Sequence, residues 1–282
     1  MKTVVILGAG QMGQAACKLL NPNSIEVVAF GDNNPDTWNY TGDIQVLPVP
    51  EALRANPDLV LIGVLDEERG AQLKAQAHES GYSGEIMTLG GLYHSFDIRS
   101  ATFKHLAERI RETNVEGALA ELGVYRGDFA WQLNEQFPDR KLYLFDTFEG
   151  LHEQDIKAER QIGASKARVH DFSDTKEKDV LTRMPYEKQI VLKKGYFPEI
   201  AQGIEERFAI VSIDVDLYAP TLAGLAYFYP RLNPGGVIIL HDYNSRQFDG
   251  VQKAVQKYES EHGRLPIVPL SDLHGSAVII RT

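Results

Sequence analysis

One pattern constrains this chain more than any other, and it occurs twice. "KTVVILGAGQMGQAA" (Lys2 to Ala16) and "GALAELGVYRGDFA" (Gly117 to Ala130) each run an apolar stretch into a glycine turn and then into a helix-like segment. A buried strand that hands over to a helix through glycines opens a βαβ unit. Two such openings in one chain predict two parallel sheets, each with its own ligand-binding edge.

The intervening sequence supports both. Short β-branched runs at 4–7, 27–30, 59–64 and 85–89 alternate with helix-like segments at 11–20, 50–55 and 67–80. The alternation pauses at "GGLYHSFDIRS", and a helix with one charged side is expected over 101–114. It then restarts, with strands at 118–122, 141–145, 190–194, 209–214, 236–240, 266–269 and 276–281. Helices are expected at 128–136, 176–184, 198–206, 220–230 and 249–260. Strands alternating with helices make parallel sheets covered on both faces. Only a few residues around "SDLHG" join the last two strands. A parallel crossover needs about a dozen residues, so the final strand is expected antiparallel. The expected fold is α/β with two Rossmann-like domains: 1–95, a linker helix over 96–114, and a seven-stranded sheet over 115–282.

Composition narrows the partners. The 282 residues carry a formal net charge of -10 with no stretch dense in Lys or Arg, which argues against nucleic acid. Cys17 is the single cysteine, so no disulfide forms within the chain. No apolar run approaches the ~18 residues that span a bilayer. No signal-peptide pattern stands before "TVVILG". A cytoplasmic protein is expected.

In the first turn Gly8, Gly10 and Gly13 have the G-x-G-x-x-G spacing, with Gln11 and Met12 between the last two. Such a turn lets a pyrophosphate rest on a helix N-terminus. Asp32, at the end of the second strand, stands where a ribose-binding carboxylate belongs. A structural turn without a dinucleotide satisfies the same residues. The expected three or four strands are too few for a complete NAD domain, and no Tyr-x-x-x-Lys pair follows. "AFGDNNPDTWNYTGDIQVLPVPEAL" followed by "PDLVLIGV" resembles the small N-terminal Rossmann-like domains of sugar-modifying enzymes of surface-polysaccharide pathways. That resemblance implies a nucleotide-sugar ligand or an accessory role.

The second turn reads Glu121-x-Gly123-x-x-x-Gly127, with Tyr125 inside it. It resembles the opening of an S-adenosylmethionine-dependent methyltransferase. Glu121 would then accept from the methionine ammonium, and the glycines would let the backbone approach the cofactor. "LFDTFEGL" places Asp146, Thr147 and Phe148 after the next strand, and an acceptor-only carboxylate there suits two ribose hydroxyls. "KKGYFPE" adds Gly195 and Phe197, "IDVDLYAPT" adds Asp214 and Asp216, and "LHDYN" adds His241 and Asp242. Together these ordered blocks resemble the macrocin O-methyltransferase (TylF-type) family over roughly residues 110–282.

The resemblance implies methyl transfer to a sugar hydroxyl, often with a divalent metal such as Mg²⁺, in a homodimer. It carries metal ligation to Asp214 and Asp242, and His241 replaces the first aspartate of the family's D-D-Y motif. That change removes one anionic ligand and offers either a softer ligand or a general base. Asp214, Asp216, His241 and Asp242 are the candidate catalytic set. Tyr218 and Tyr243 are candidates for the acceptor pocket or the core, and Lys193 with Lys194 for a local basic pocket. The polar segment 170–180 is a candidate lid, and His94 and His105 are expected on the surface. Two competing readings are a nicotinamide-dependent oxidoreductase working through the first domain and a nucleotide-binding accessory protein.

Overall fold

The computed structural model describes residues 1–38, 43–164, 167–245 and 247–282. Its contacts divide the chain into two units, Met1–Asp97 with Ser271–His274, and Ile98–Leu270 with Gly275–Thr282. Residues 39–42, inside the stretch that carries the first domain's resemblance, lie outside the described residues. Among the described residues no helix is long and apolar enough to cross a membrane.

In the first unit, β1 (Lys2–Leu7), β2 (Ile25–Gly31), β3 (Val46–Leu47), β4 (Leu59–Ile62) and β5 (Glu85–Thr88) form one sheet in the order β3-β2-β1-β4-β5. Every pairing is parallel. Val4 to Leu7 have no exposed surface, as expected of a central strand covered on both faces. The covering helices are α1 (Gln11–Leu19), α2 (Val49–Ala52), α3 (Glu67–Glu79) and α4 (Leu89–Ser95). The sheet has five strands, against the three or four expected. The extra strand is β3, two residues long and too short to show a pattern. Its flanks are held by Phe30 N–H to Gln45 O (2.9 Å) and Asp32 N–H to Leu47 O (2.9 Å). Helix α4 occupies the stretch where the alternation pauses. Leu273, from the Ser271–His274 segment, is buried in the same core cluster as Ala9, Phe30 and Leu89.

The second unit holds seven strands: β6 (Ala118–Leu122), β7 (Leu142–Asp146), β8 (Ile190–Lys194), β9 (Phe208–Ile213), β10 (Leu232–Leu240), β11 (Ile267–Pro269) and β12 (Ala277–Ile280). Their order is β11-β12-β10-β9-β6-β7-β8. Only β12 runs against the others, antiparallel to β10 and β11, as the short β11–β12 connection requires. The helices are α5 (Ile98–Glu112), α6 (Asp128–Gln136), α7 (Glu153–Gln161), α8 (Glu177–Arg183), α9 (Tyr218–Phe228) and α10 (Asp249–His262). The expected linker helix is α5, which buries Phe103, Ala107 and Ile110 in this unit's core beside Leu119 and Ile210. The helix expected over 198–206 contracts to a single 3-10 turn, Glu199–Ala201. Helix α7 lies where no helix was expected. Its buried face is Asp155, Ile156 and Glu159, so two of three inward positions are acids and no apolar period marks it.

Strand order reverses direction between β6 and β9, which pair directly through Glu121 with Ser212 and Leu122 with Ile213. In an open α/β sheet the ligand crevice lies at that reversal, beyond the carboxyl ends of the strands.

Candidate active site

Five consecutive strand ends of the second sheet turn through the left-handed region of backbone space. After β6 come Gly123 (φ 85°), Tyr125 (49°) and Gly127 (77°); after β7, Phe148 (54°). After β8 comes Gly195 (137°), after β9 Asp216 (59°), and after β10 Asp242 (55°). A non-glycine residue there costs energy, and such residues gather where a site demands a particular turn. Gly123 has no alternative: a Cβ on it would stand 2.0 Å from the Asp214 carbonyl oxygen. Asp214 N–H in turn donates to Leu122 O at 2.8 Å. The glycine turn and the first acidic turn are therefore in backbone contact.

Asp146 organises the glycine turn from the neighbouring strand. Its Oδ2 accepts from the N–H groups of Val124 (2.6 Å) and Tyr125 (2.9 Å), and its Oδ1 from Phe148 N–H (2.7 Å). A carboxylate has about four acceptor positions, so three backbone donors leave room for little more. The first unit repeats the device, with Asp32 Oδ2 accepting from Ala9 N–H (2.7 Å) and Oδ1 from Asn34 N–H (2.8 Å). Thr147 closes the β7 turn, donating from Oγ1 to Gly150 O at 3.0 Å. Phe148 and Phe197 were expected among the cofactor-binding residues, and both rings are buried in core clusters. Phe148 belongs to one cluster, and Phe197 stacks on Phe228 at 5.6 Å in another. Their rings fill space under the turns, leaving the backbone as what they can present.

Glu121 is 2% exposed on β6, and its Oε2 has no hydrogen-bond partner among the described residues. Burial pushes its carboxyl well above the usual carboxylate range; Arg99 opposes that shift, while Asp214 and Asp146 reinforce it.

The segment 168–175 ties both turns together. Tyr125 O–H donates to Asp174 Oδ1 (2.7 Å), and Arg126 pairs with the other oxygen of the same carboxylate. Thr175 Oγ1 donates to Tyr125 O (2.5 Å), and Phe172 meets the Tyr125 ring edge-on at 5.5 Å. On the β7 side, Leu151 N–H donates to Asp171 O at 3.0 Å.

Beyond β9 and β10, ligand atoms of Asp214, Asp216, His241 and Asp242 lie within 4.8 Å of one another. His241 Nδ1 is 2.7 Å from Asp242 Oδ2 and 3.0 Å from Asp214 Oδ1. The other Asp214 oxygen accepts from Arg99 Nη1 at 2.9 Å. Burial alone would raise the Asp214 carboxyl, but His241 and Arg99 hold it well below the usual range. Burial works against a charged His241 ring; Asp214 and the hydrogen bonds to both carboxylates overcome it and lift the group to about 10. Burial raises Asp216, with Asp214, Asp242 and a hydrogen bond to Asp242 adding to the effect. The two carboxylates therefore favour the protonated form of His241.

The remaining candidates fall elsewhere. Tyr218 N–H donates to Glu159 Oε2 at 2.9 Å, and Tyr243 packs half-buried against the core. Lys194, on edge strand β8, pairs with Glu177 of α8, and Lys193 lines a separate cavity with Tyr143 and Glu206. His94 and His105 are exposed, as expected. Arg99, at the start of α5, carried no sequence signal, since an arginine on a polar helix face looks like any solvated charge.

The model of the macrocin O-methyltransferase (TylF) family matches residues 95–281, well over half of the chain. The chain belongs to that family. It is an S-adenosylmethionine-dependent O-methyltransferase. Among relatives of this family member is the 8-demethyl-8-(2,3-dimethoxy-alpha-L-rhamnosyl)-tetracenomycin-C 4'-O-methyltransferase of Streptomyces olivaceus. It is 28% identical over 196 residues, covering 65% of this chain and 72% of the relative. The mycinamicin III 3''-O-methyltransferase of Micromonospora griseorubida is 26% identical over 205 residues, 67% of this chain and 77% of the relative. The O-methyltransferase NovP shares the fold, with a TM-score of 0.53 at 21% identity over 65% of this chain and 79% of that one.

The residues of this macrocin O-methyltransferase family member fit the cofactor. The unpartnered Glu121 oxygen calls for a donor, and the glycine turn leaves bare backbone beside it. The donor chemistry also fits a hard divalent cation, because three carboxylates converge there. His241 makes the set softer than carboxylates alone.

Proposed function

We propose that this enzyme methylates a hydroxyl of a sugar or sugar-linked metabolite. The observation that carries the reading is the backbone contact between Gly123 and Asp214, which sets the cofactor turn against the acidic cluster. The first relative's name, with its rhamnosyl group, supports a sugar acceptor. S-adenosylmethionine supplies a sulfonium methyl group, and the residues that would hold it are Glu121, Gly123, Tyr125, Gly127, Asp146, Thr147 and Gly195. A sugar hydroxyl is a weak nucleophile at neutral pH and must lose its proton as it attacks. Asp214 is the poorest acceptor for that proton, since two cations keep it ionised. Asp216 and Asp242 are the remaining carboxylates of the cluster that can accept it. His241, held between Asp214 and Asp242, fixes the geometry and balances the charge.

Mg²⁺ assistance belongs to this reading. Asp214, Asp216 and Asp242 would hold the ion, which lowers the pKa of a hydroxyl bound to it. In the first unit, Gly8, Gly10, Gln11, Met12, Gly13 and Asp32 would bind a nucleotide or nucleotide-sugar. The support is the uncapped N-terminus of α1 behind Gly10. A homodimer completes the reading, from family resemblance.

The test is transfer of labelled methyl from S-adenosylmethionine to a panel of nucleotide-sugars and glycosides, with Mg²⁺ and with chelator. The expected result is labelling of a sugar, lost with chelator and restored by Mg²⁺. Labelling of no sugar, with label appearing on catechols or other phenols, would contradict the acceptor class. Under the competing oxidoreductase reading NADH would bind the first unit and be oxidised, and a fluorescence titration decides that.

A further inference from the structure

The carboxylate cluster already contains a cation that belongs to the protein. Arg99 reaches it from α5, and its side chain is 13% exposed. Nη1 donates to Asp214 Oδ2 at 2.9 Å, while Nη2 donates to Ser212 Oγ at 3.1 Å. Ser212 has no exposed surface and sits one residue before the carboxyl end of β9. On its flat side the guanidinium lies 4.4 Å from the centre of the Phe129 ring, a cation–π contact with α6. A strand, a helix and a carboxylate thus hold it. A planar fork held at two oxygens and one ring face keeps its charge beside Asp214.

The consequence concerns how the cluster takes an ion. Asp214 is the residue to which the family resemblance assigns metal ligation, yet one of its oxygens is committed to Arg99. A divalent cation taking the other oxygen displaces His241 Nδ1, 3.0 Å away, and still meets the fixed Arg99 charge on the far side of the same carboxylate. Like charges sharing one small, partly dehydrated site repel strongly. We propose that Arg99 is a resident competitor for divalent cations, which shares Asp214 with the ion and thereby sets a weak, exchangeable cation affinity. Arg99 is a positioning residue here, acting through Asp214. The inference rests on the metal-assisted reading above, and its test separates the two.

The test uses the full chain and Mn²⁺ as probe, with bound ion counted by electron paramagnetic resonance. Each variant is also titrated calorimetrically with S-adenosylhomocysteine as a check on the neighbouring turn. Arg99→Gln removes the charge but keeps a hydrogen-bonding side chain; Arg99→Met serves in its place if the glutamine protein does not fold. Mn²⁺ affinity is expected to rise about tenfold or more in the neutral variant, with S-adenosylhomocysteine affinity within about threefold of wild type. Arg99→Lys, which keeps the charge, should stay within about threefold of wild type for both.

Equal Mn²⁺ affinity in wild type and Arg99→Gln overturns the inference and leaves the metal reading standing. An equally large rise in Arg99→Lys overturns it too, because charge would not be the cause. Falling Mn²⁺ affinity, or joint loss of both ligands, makes Arg99 structural and ends the proposal. Binding only in the neutral variant supports the competitor and removes the metal from the native reaction. No binding in either protein overturns both readings.

Discussion

At the scale of single residues, the site is decided by which side chains are missing and which are buried without a partner. A methyl group on Gly123 would press on the Asp214 carbonyl, and its φ of 85° already disfavours any side chain. Gly123→Ala is expected to cost at least about 2 kcal/mol in urea unfolding. Gly10→Ala, where nothing lies within 4 Å of the added carbon, should cost no more than about 0.5 kcal/mol. Glu121 gives a pH test. Its folded carboxyl is raised by burial, so the stability it provides is intact below the usual carboxylate pKa and declines as pH rises toward the folded value. Glu121→Gln never ionises and escapes that decline. The glutamine protein should therefore gain on wild type as pH rises, with a Tm advantage of ~3 °C or more at pH 8 that disappears near pH 4. An advantage that shrinks with rising pH would show that Glu121 is stabilised as the anion. The sequence disclosed these positions well, because a glycine at a strand end has few other uses. It did not disclose Arg99, whose role comes from a fold that brings residue 99 to residue 214.

Elements were legible where packing follows an apolar period and obscure where it does not. The strands of the second sheet read clearly, since both faces are buried. Helix α7 did not, because two acids point inward, and β3 is too short to carry a pattern. The rings of Phe148 and Phe197 turn into the core, because a motif gives position along the chain while burial decides which way a ring turns. The segment 170–180 was expected as a lid, and the ties of its first residues to Tyr125, Arg126 and Leu151 give that expectation a form that can be tested. The Arg126–Asp174 pair is more than half exposed on both sides, so it is the weak end of the strap. Asp174→Ala should leave Tm nearly unchanged while speeding S-adenosylhomocysteine release about threefold in stopped flow. An unchanged release rate would make the segment an ordinary surface loop.

Across the whole molecule, the same opening is used twice, and the two copies differ in what stands beside them. Each has a glycine turn braced by the carboxylate of the next strand, Asp32 in one unit and Asp146 in the other. Only the second has the Asp214, Asp216, His241 and Asp242 cluster one strand away. The central claim is that the methyl donor binds at the second turn and not the first. Calorimetry with S-adenosylhomocysteine on wild type, Asp146→Asn and Gly10→Ala tests it most directly. One site per chain is expected, weakened about tenfold or more by Asp146→Asn and changed less than about twofold by Gly10→Ala. Wild-type binding by Asp146→Asn, or loss of binding in Gly10→Ala, would contradict the account.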